Sequence, residues 1–291
     1  MNPEHTNTEM CVDNEDKSSV SEKNLIQKKE RVVRRSNRIQ KLSQEKNQTT
    51  PSQNNLIQNK INELKLIMQD KSRESDLVCS MNPDIYLNYS SLKLLFEDQW
   101  LNSDVIDFFM LLFSRNSLQT MRVITSFECS RFKRTTAFQR TKISNNLQEL
   151  QQRQQNNCND SYEIVLMSVN WSNQHWGLMG YYCVSKLFFW YEPANSGKSS
   201  WKLGDAEWSS FHGLLKQLKI NHPNCRDIKH ISFPCQNDGW SCGLRVIYLT
   251  KLLSRSFGSF IFRDFHAFEN HEMRDELIYD LVSYLSGFID N

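Results

Sequence analysis

The sequence predicts an α+β fold in which a buried helix starting at Cys242 packs on an antiparallel or mixed sheet. Three observations lead there. The runs 163–170, 175–184 and 186–193 are apolar and β-rich, and their short connections suggest antiparallel neighbours. The stretch 242–255 (CGLRVIYLTKLLSR) is apolar on nearly every side of a helix, so it belongs in the interior. Helical patterns lie before and after the strands, and helices segregated from a sheet make an α+β layering.

Taken in order, the chain divides near residue 76. Residues 1–76 contain no aromatic residue and no glycine, whereas all seven Trp and all nine Gly come later. Such a segment has little to offset the entropy of ordering. It is expected to be a mostly disordered arm, with 77–291 forming one packed domain. Within the arm, apolar residues at helical spacing over 56–69 predict an amphipathic helix that docks on the domain or on a partner. Next, SSLKLLFEDQWLNSDVIDFFMLLFSRN reads as two helices. Ser90 or Ser91 could cap the first and Asn102 or Ser103 the second, with Asp104 in its first turn. The Asn- and Gln-rich stretch 145–160 reads as a solvated loop or frayed helix. Beyond the three strands, a helix fits 205–219 with Asp205 as cap, a strand fits 228–235, and a last amphipathic helix fits 271–286.

Composition excludes several classes. No apolar run approaches the roughly 20 residues a membrane span needs. The first 24 residues are polar and acidic, without the apolar stretch of a secretion signal. The eight cysteines form no CxxC pair, so an intracellular setting with free thiols is expected. His271-Glu272 opens like a zinc-protease helix, but position 275 is Asp, and no metal or cofactor is expected. Between Lys28 and Lys41 there are seven basic residues and one acid. That run suits nuclear import or nucleic-acid contact; the plainer alternative is a solvated arm.

Cys242 begins the most hydrophobic helix in the chain, and a thiol at a helix N-terminus is favoured as the thiolate nucleophile. Gly239 and Gly243 flank it, letting the backbone bend and another chain approach. A thiolate nucleophile needs a base, and the base needs an orienting acceptor. Among the seven histidines, His175 stands out: it starts a strand just after the polar turn Trp171-Ser172-Asn173-Gln174. Glu192 ends the next strand, and antiparallel neighbours place the start of one beside the end of the other.

The residues HW (175–176), WYEP (190–193) and QNDGWSCG (236–243), with WLNSDVIDFF (100–109), resemble the ubiquitin-like-protein-specific proteases of the SUMO-deconjugating type. The resemblance covers most of 90–255 in the right order and implies a papain-like cysteine protease fold. It implies Cys242 as nucleophile, His175 as base, Glu192 as orienting acid and Gln236 as oxyanion donor. It further implies that Trp176 and Trp100 cover a narrow tunnel for a Gly-Gly tail, although either Trp could simply be core packing. The expected partner is a ubiquitin-like modifier, SUMO first, with its protein conjugates; a Nedd-type modifier or ubiquitin are the other choices. Three positions depart from the family pattern. Glu192 stands where Asp is usual, with Asn195 as the reserve orienter; Ser241 stands where Asp often precedes the Cys; and Ser103 takes the place of an acid, with Asp104 following. Other readings are a same-fold acetyltransferase or protease of another substrate, and a catalytically weak modifier-binding module.

Overall fold

The computed structural model describes residues 51–82, 84–117, 119–134, 162–194, 204–220, 228–231, 233–255 and 269–287. The basic run 28–41, the Asn/Gln-rich stretch 145–160 and Asn195 lie outside the described residues.

The chain enters through helix α1 (Pro51–Ile67) and a hairpin of β1 (Leu77–Asn82) and β2 (Ile85–Asn88). Helix α2 (Tyr89–Phe96) is capped by Asn88, whose side chain accepts from the Ser91 N–H at 2.8 Å, so the cap lies ahead of the two serines expected for it. Helix α3 (Ser103–Arg115) is capped by Asn102, which accepts from the Val105 N–H at 3.2 Å. Strand β3 (Met121–Ile124) and helix α4 (Ser126–Arg134) follow. The three expected strands are β4 (Ile164–Trp171), β5 (His175–Tyr182) and β6 (Leu187–Tyr191). Helix α5 (Asp205–Gln217) comes next; Gly204 takes the cap position and Asp205 is the first helical residue. Strand β7 is only Ile228–His230, shorter than expected, because the chain then turns through Pro234 toward the next helix. Helices α6 (Cys242–Ser254) and α7 (Asn270–Leu285) complete the described part.

The main sheet runs β3-β4-β5-β6-β7. Its central pairs are antiparallel, while β3 joins β4 and β7 joins β6 in parallel, so the sheet is mixed. One face carries α6, whose residues are almost all buried, packed against α3 and β5. Leu178, Phe189, Tyr191, Ile106, Phe109, Val246 and Ile247 belong to this core. The opposite face carries α4 and α5, with Met179, Tyr181, Phe188, Phe211 and Leu215 between them. Burying a Leu, Ile or Phe side chain is worth about 1.5–3 kcal/mol, so these two layers supply the drive that holds the sheet.

The helix expected over 56–69 packs against the same core. Ile57, Leu64 and Met68 are 3 %, 2 % and 7 % exposed and belong to the same core as α6. Helix α1 therefore docks on the domain through one aliphatic stripe. A segment without aromatics can still bury surface when its Ile, Leu and Met residues recur at helical spacing.

Candidate active site

The β4–β5 connection is a tight polar turn. Ser172 and Asn173 both take left-handed backbone angles (φ 54° and 57°), and Trp171 pairs with His175 across it. That pairing puts His175 at the first position of β5. Glu192 follows the last residue of β6, and the two side chains meet: His175 Nε2 hydrogen-bonds Glu192 Oε1. The Ala194 N–H donates to the same carboxylate oxygen at 2.7 Å, which orients it. Glu192 is fully buried and His175 nearly so. The extra methylene of Glu over Asp thus still reaches the imidazole. The Trp171 ring stacks on the imidazole, with centroids 5.6 Å apart and planes 20° apart, and meets Trp190 edge-on at 5.0 Å. Gly177 makes room for this stack. A Cβ there would stand 2.9 Å from the Trp190 ring and 3.0 Å from that of Trp171.

Helix α6 delivers Cys242 to the same place: its thiol points to the Trp240 carbonyl at 4.0 Å and lies close enough to His175 to favour the charged imidazole. With Nε2 engaged by Glu192, Nδ1 is the ring nitrogen left for the thiol. Burial of His175 opposes its charged form. The neighbouring Cys242 and the hydrogen-bonded Glu192 carboxylate outweigh that penalty and push the imidazole up to about 9. An imidazole held between a carboxylate and a thiol can take the thiol proton and keep it as a stable cation. Close packing fixes the start of α6: a Cβ on Gly243 would lie 3.0 Å from Ile106, 3.2 Å from Leu101 and 3.3 Å from Trp176.

The loop before Cys242 is tied to the acid's end of the hairpin. The Gln236 N–H donates to the Pro193 carbonyl at 2.7 Å, and the Gln236 carboxamide donates to the Asp238 carbonyl at 2.7 Å. Trp176 is buried and its indole N–H donates to the Leu101 carbonyl at 2.9 Å. Trp100 is half-exposed, and its indole N–H reaches the Gly239 carbonyl. Both tryptophans line a cleft of about 540 Å³, together with Asp84, Asp104 and Asp107. The structure therefore gathers Cys242, His175, Glu192, Gln236, Trp176 and Trp100 around one end of α6. Sequence reasoning missed Asp238, whose carboxylate accepts four hydrogen bonds, three from the turn before Cys242 and one from Asn270. The available signal was an Asp at the head of a Gly-containing turn just before a helix. Among the described residues, no group of three or more His, Cys, Asp or Glu is arranged to hold a metal.

No family model and no curated protein matches the sequence. Solved structures do. A SUMO protease Ulp1 with its catalytic cysteine oxidised to a sulfenic acid superposes with a TM-score of 0.57 at 17 % identity, over 79 % of this chain and 95 % of that one. The fold is that of the Ulp1-type SUMO protease domain. The C-terminal Ulp1 protease domain in complex with Smt3, the yeast ortholog of SUMO, matches at 0.54 and 16 % identity, over 78 % and 94 % of the two chains. The Ulp1-like SUMO protease catalytic domain of Chaetomium thermophilum matches at 0.53 and 13 % identity, over 78 % and 88 %. The Ulp1-type fold thus accounts for the mixed sheet and for the helix that carries Cys242, as the sequence resemblance implied. No helix among the described residues is long and apolar enough to cross a membrane.

Proposed function

We propose that this chain is a cysteine protease that cleaves after the C-terminal Gly-Gly of a ubiquitin-like modifier, with SUMO favoured, either from conjugates or from its precursor. The observation that carries this reading is the His175–Glu192 pair set beside a thiol at the N-terminus of α6, within a Ulp1-type fold.

The proposed roles are these. Cys242, as thiolate, attacks the scissile carbonyl while His175 holds the thiol proton. The tetrahedral oxyanion accepts hydrogen bonds from the Cys242 backbone N–H and from the second carboxamide hydrogen of Gln236; one such donor is worth about 2.7–4 kcal/mol in a comparable protease. His175 then gives its proton to the leaving amine, and the acyl group remains as a thioester. Water, deprotonated by His175, hydrolyses the thioester and regenerates the thiol. Glu192 orients the ring throughout and stabilises its cation. Trp176 forms a fixed wall of the tail channel and Trp100 its exposed cover, leaving room for residues without a Cβ. The modifier body and its conjugates are the partners. The basic run 28–41 is proposed as an import signal, so a reporter fused to residues 1–76 should accumulate in the nucleus; a uniform distribution would remove that part.

The test is labelling by SUMO, Nedd-type and ubiquitin probes bearing a C-terminal electrophile, beside a Cys242→Ala control. One adduct that depends on Cys242 identifies nucleophile and modifier together. Binding without an adduct would favour a modifier-binding module, and neither binding nor an adduct would favour another substrate class.

A further inference from the structure

In the turn Asp238–Ser241 that leads into Cys242, one carboxylate takes four hydrogen bonds, while Trp100 and Gln236 each donate one to its backbone carbonyls. Asp238 Oδ1 accepts from the backbone N–H groups of Trp240 (2.8 Å) and Ser241 (2.7 Å). Its Oδ2 accepts from the Ser241 hydroxyl (2.7 Å) and from the Asn270 carboxamide (2.7 Å). Asn270 is the first residue of α7, and its own carboxamide oxygen accepts from Arg245 Nη2 at 3.1 Å. Arg245 is buried on α6, one turn past Cys242, and its Nη1 donates to the Pro234 carbonyl at 3.2 Å. The Tyr191 hydroxyl, next to Glu192, donates to that same carbonyl at 3.0 Å. The chain of bonds therefore runs from the acid's strand, through Pro234, Arg245 and Asn270, to the turn that carries the nucleophile. Ser241 is fully buried, so its hydroxyl depends on this protein partner.

We propose that Asp238 is the positioning residue of the nucleophile, and that Asn270 and Arg245 hold it in register from α7 and α6. By taking up the N–H groups of Trp240 and Ser241, it sets the direction of the next N–H along the chain, that of Cys242, and with it the thiol. The carboxylate of this turn sits three residues before Cys242's neighbour Ser241, whose hydroxyl donates to it. Those bonds also keep the Asp238 carboxylate ionised to lower pH than usual, against the cost of its partial burial. Asp238 is given no contact with substrate. The idea rests on Cys242 being the reactive thiol of the proposed protease, but its test does not require a modifier substrate.

The experiment is alkylation of the full chain by iodoacetamide across pH, with the modified cysteine located by mass spectrometry and each variant shown to be folded by circular dichroism at the working temperature. Asp238→Ala and Asn270→Ala should each slow alkylation of Cys242 by about ten- to a hundredfold, the scale on which small misplacement costs reactivity. Alkylation of Cys235, which is exposed, should stay unchanged. Should Asp238→Ala fail to fold, Asn270→Ala alone carries the test. The exchange Asp238→Asn/Asn270→Asp restores a donor facing an acceptor, keeps one carboxylate and should recover most of the rate. If the variants alkylate Cys242 at the wild-type rate or faster, the proposal is overturned, since a carboxylate that only repelled the thiolate would give that result. Where a modifier substrate is in hand, kcat should fall with KM nearly unchanged. Failure of every modifier probe, with the alkylation pattern as expected, would sink the modifier-protease reading and leave the positioning role standing.

Discussion

The two halves of the site are built by different means. His175 and Glu192 are placed by backbone: a strand pairing that runs from Trp171↔His175 to Ile164↔Tyr182, and a second that joins β5 to β6. Cys242 is placed by side chains: Asp238, Asn270, Trp100 and Gln236 each bond to the turn that precedes it. Ladder hydrogen bonds survive most single substitutions, because every residue contributes the same groups. A turn held by side chains does not, since one truncation removes several bonds at once. The His175–Glu192 half is therefore the rigid frame of the site, and the Cys242 half is the part that substitutions will loosen.

The largest effect that sharpens this contrast is chemical. Cys242→Ser should lower turnover of the preferred modifier substrate by a factor on the order of a million, as removal of a nucleophile does in another hydrolase, while leaving modifier binding intact. Wild-type turnover in that variant would overturn the assignment of Cys242. Next, Glu192→Gln should slow turnover by roughly 10⁴-fold, the cost of the equivalent change in a serine protease. It should do so more than Asn195→Ala does; the opposite order would move the orienting role to Asn195.

Acidity provides a third comparison. The imidazole of His175 is raised from 6.5 to about 9 in the folded protein. A group raised on folding stabilises fully below its unfolded value, and that contribution is lost as pH rises through the folded value. The melting temperature should accordingly decline between about pH 6.5 and 9 in the wild type, and decline less in Glu192→Gln. Direct NMR titration of the ring should find it cationic at pH 7.5; a neutral ring there would contradict the pairing. The smallest effect tests the frame itself. Gly177→Ala crowds the Trp171–Trp190 stack and should cost about 1–3 kcal/mol, as overpacking does. A neutral result from chemical denaturation would show that the hairpin yields more easily than its tight packing suggests.

Much of this arrangement was legible before any coordinates. Apolar runs of strand length separated by polar turns gave β4, β5 and β6, and His175 and Glu192 followed from antiparallel adjacency. The β-bonding period is local, so sequence carries it well. Helix α6 was legible because it is apolar all round. Asp238 was not, because an acceptor's partners depend on where α7 arrives, and Asn270 lies 32 residues further on. The β1–β2 hairpin escaped notice for a related reason: its pairing is irregular at two places, which blurs the alternation of side chains. Strand β7 was overestimated because apolar residues at 231–235 read as strand, whereas Pro234 has no N–H to give a ladder. Aromatic content marks the change near residue 76, and the helical spacing of Ile57, Leu64 and Met68 is the signal for the docking of α1, which needs no aromatic residue.

The docking of α1 bears on how the protein behaves in a test tube. Ile57, Leu64 and Met68 lie in the core, and Ile61 and Ile67 pack against it, so α1 covers a strip of it. A chain trimmed back to residue 77 would leave that strip wet. Its solutions should turn cloudy on concentration and bind hydrophobic dyes, whereas a chain trimmed to residue 51 should stay clear.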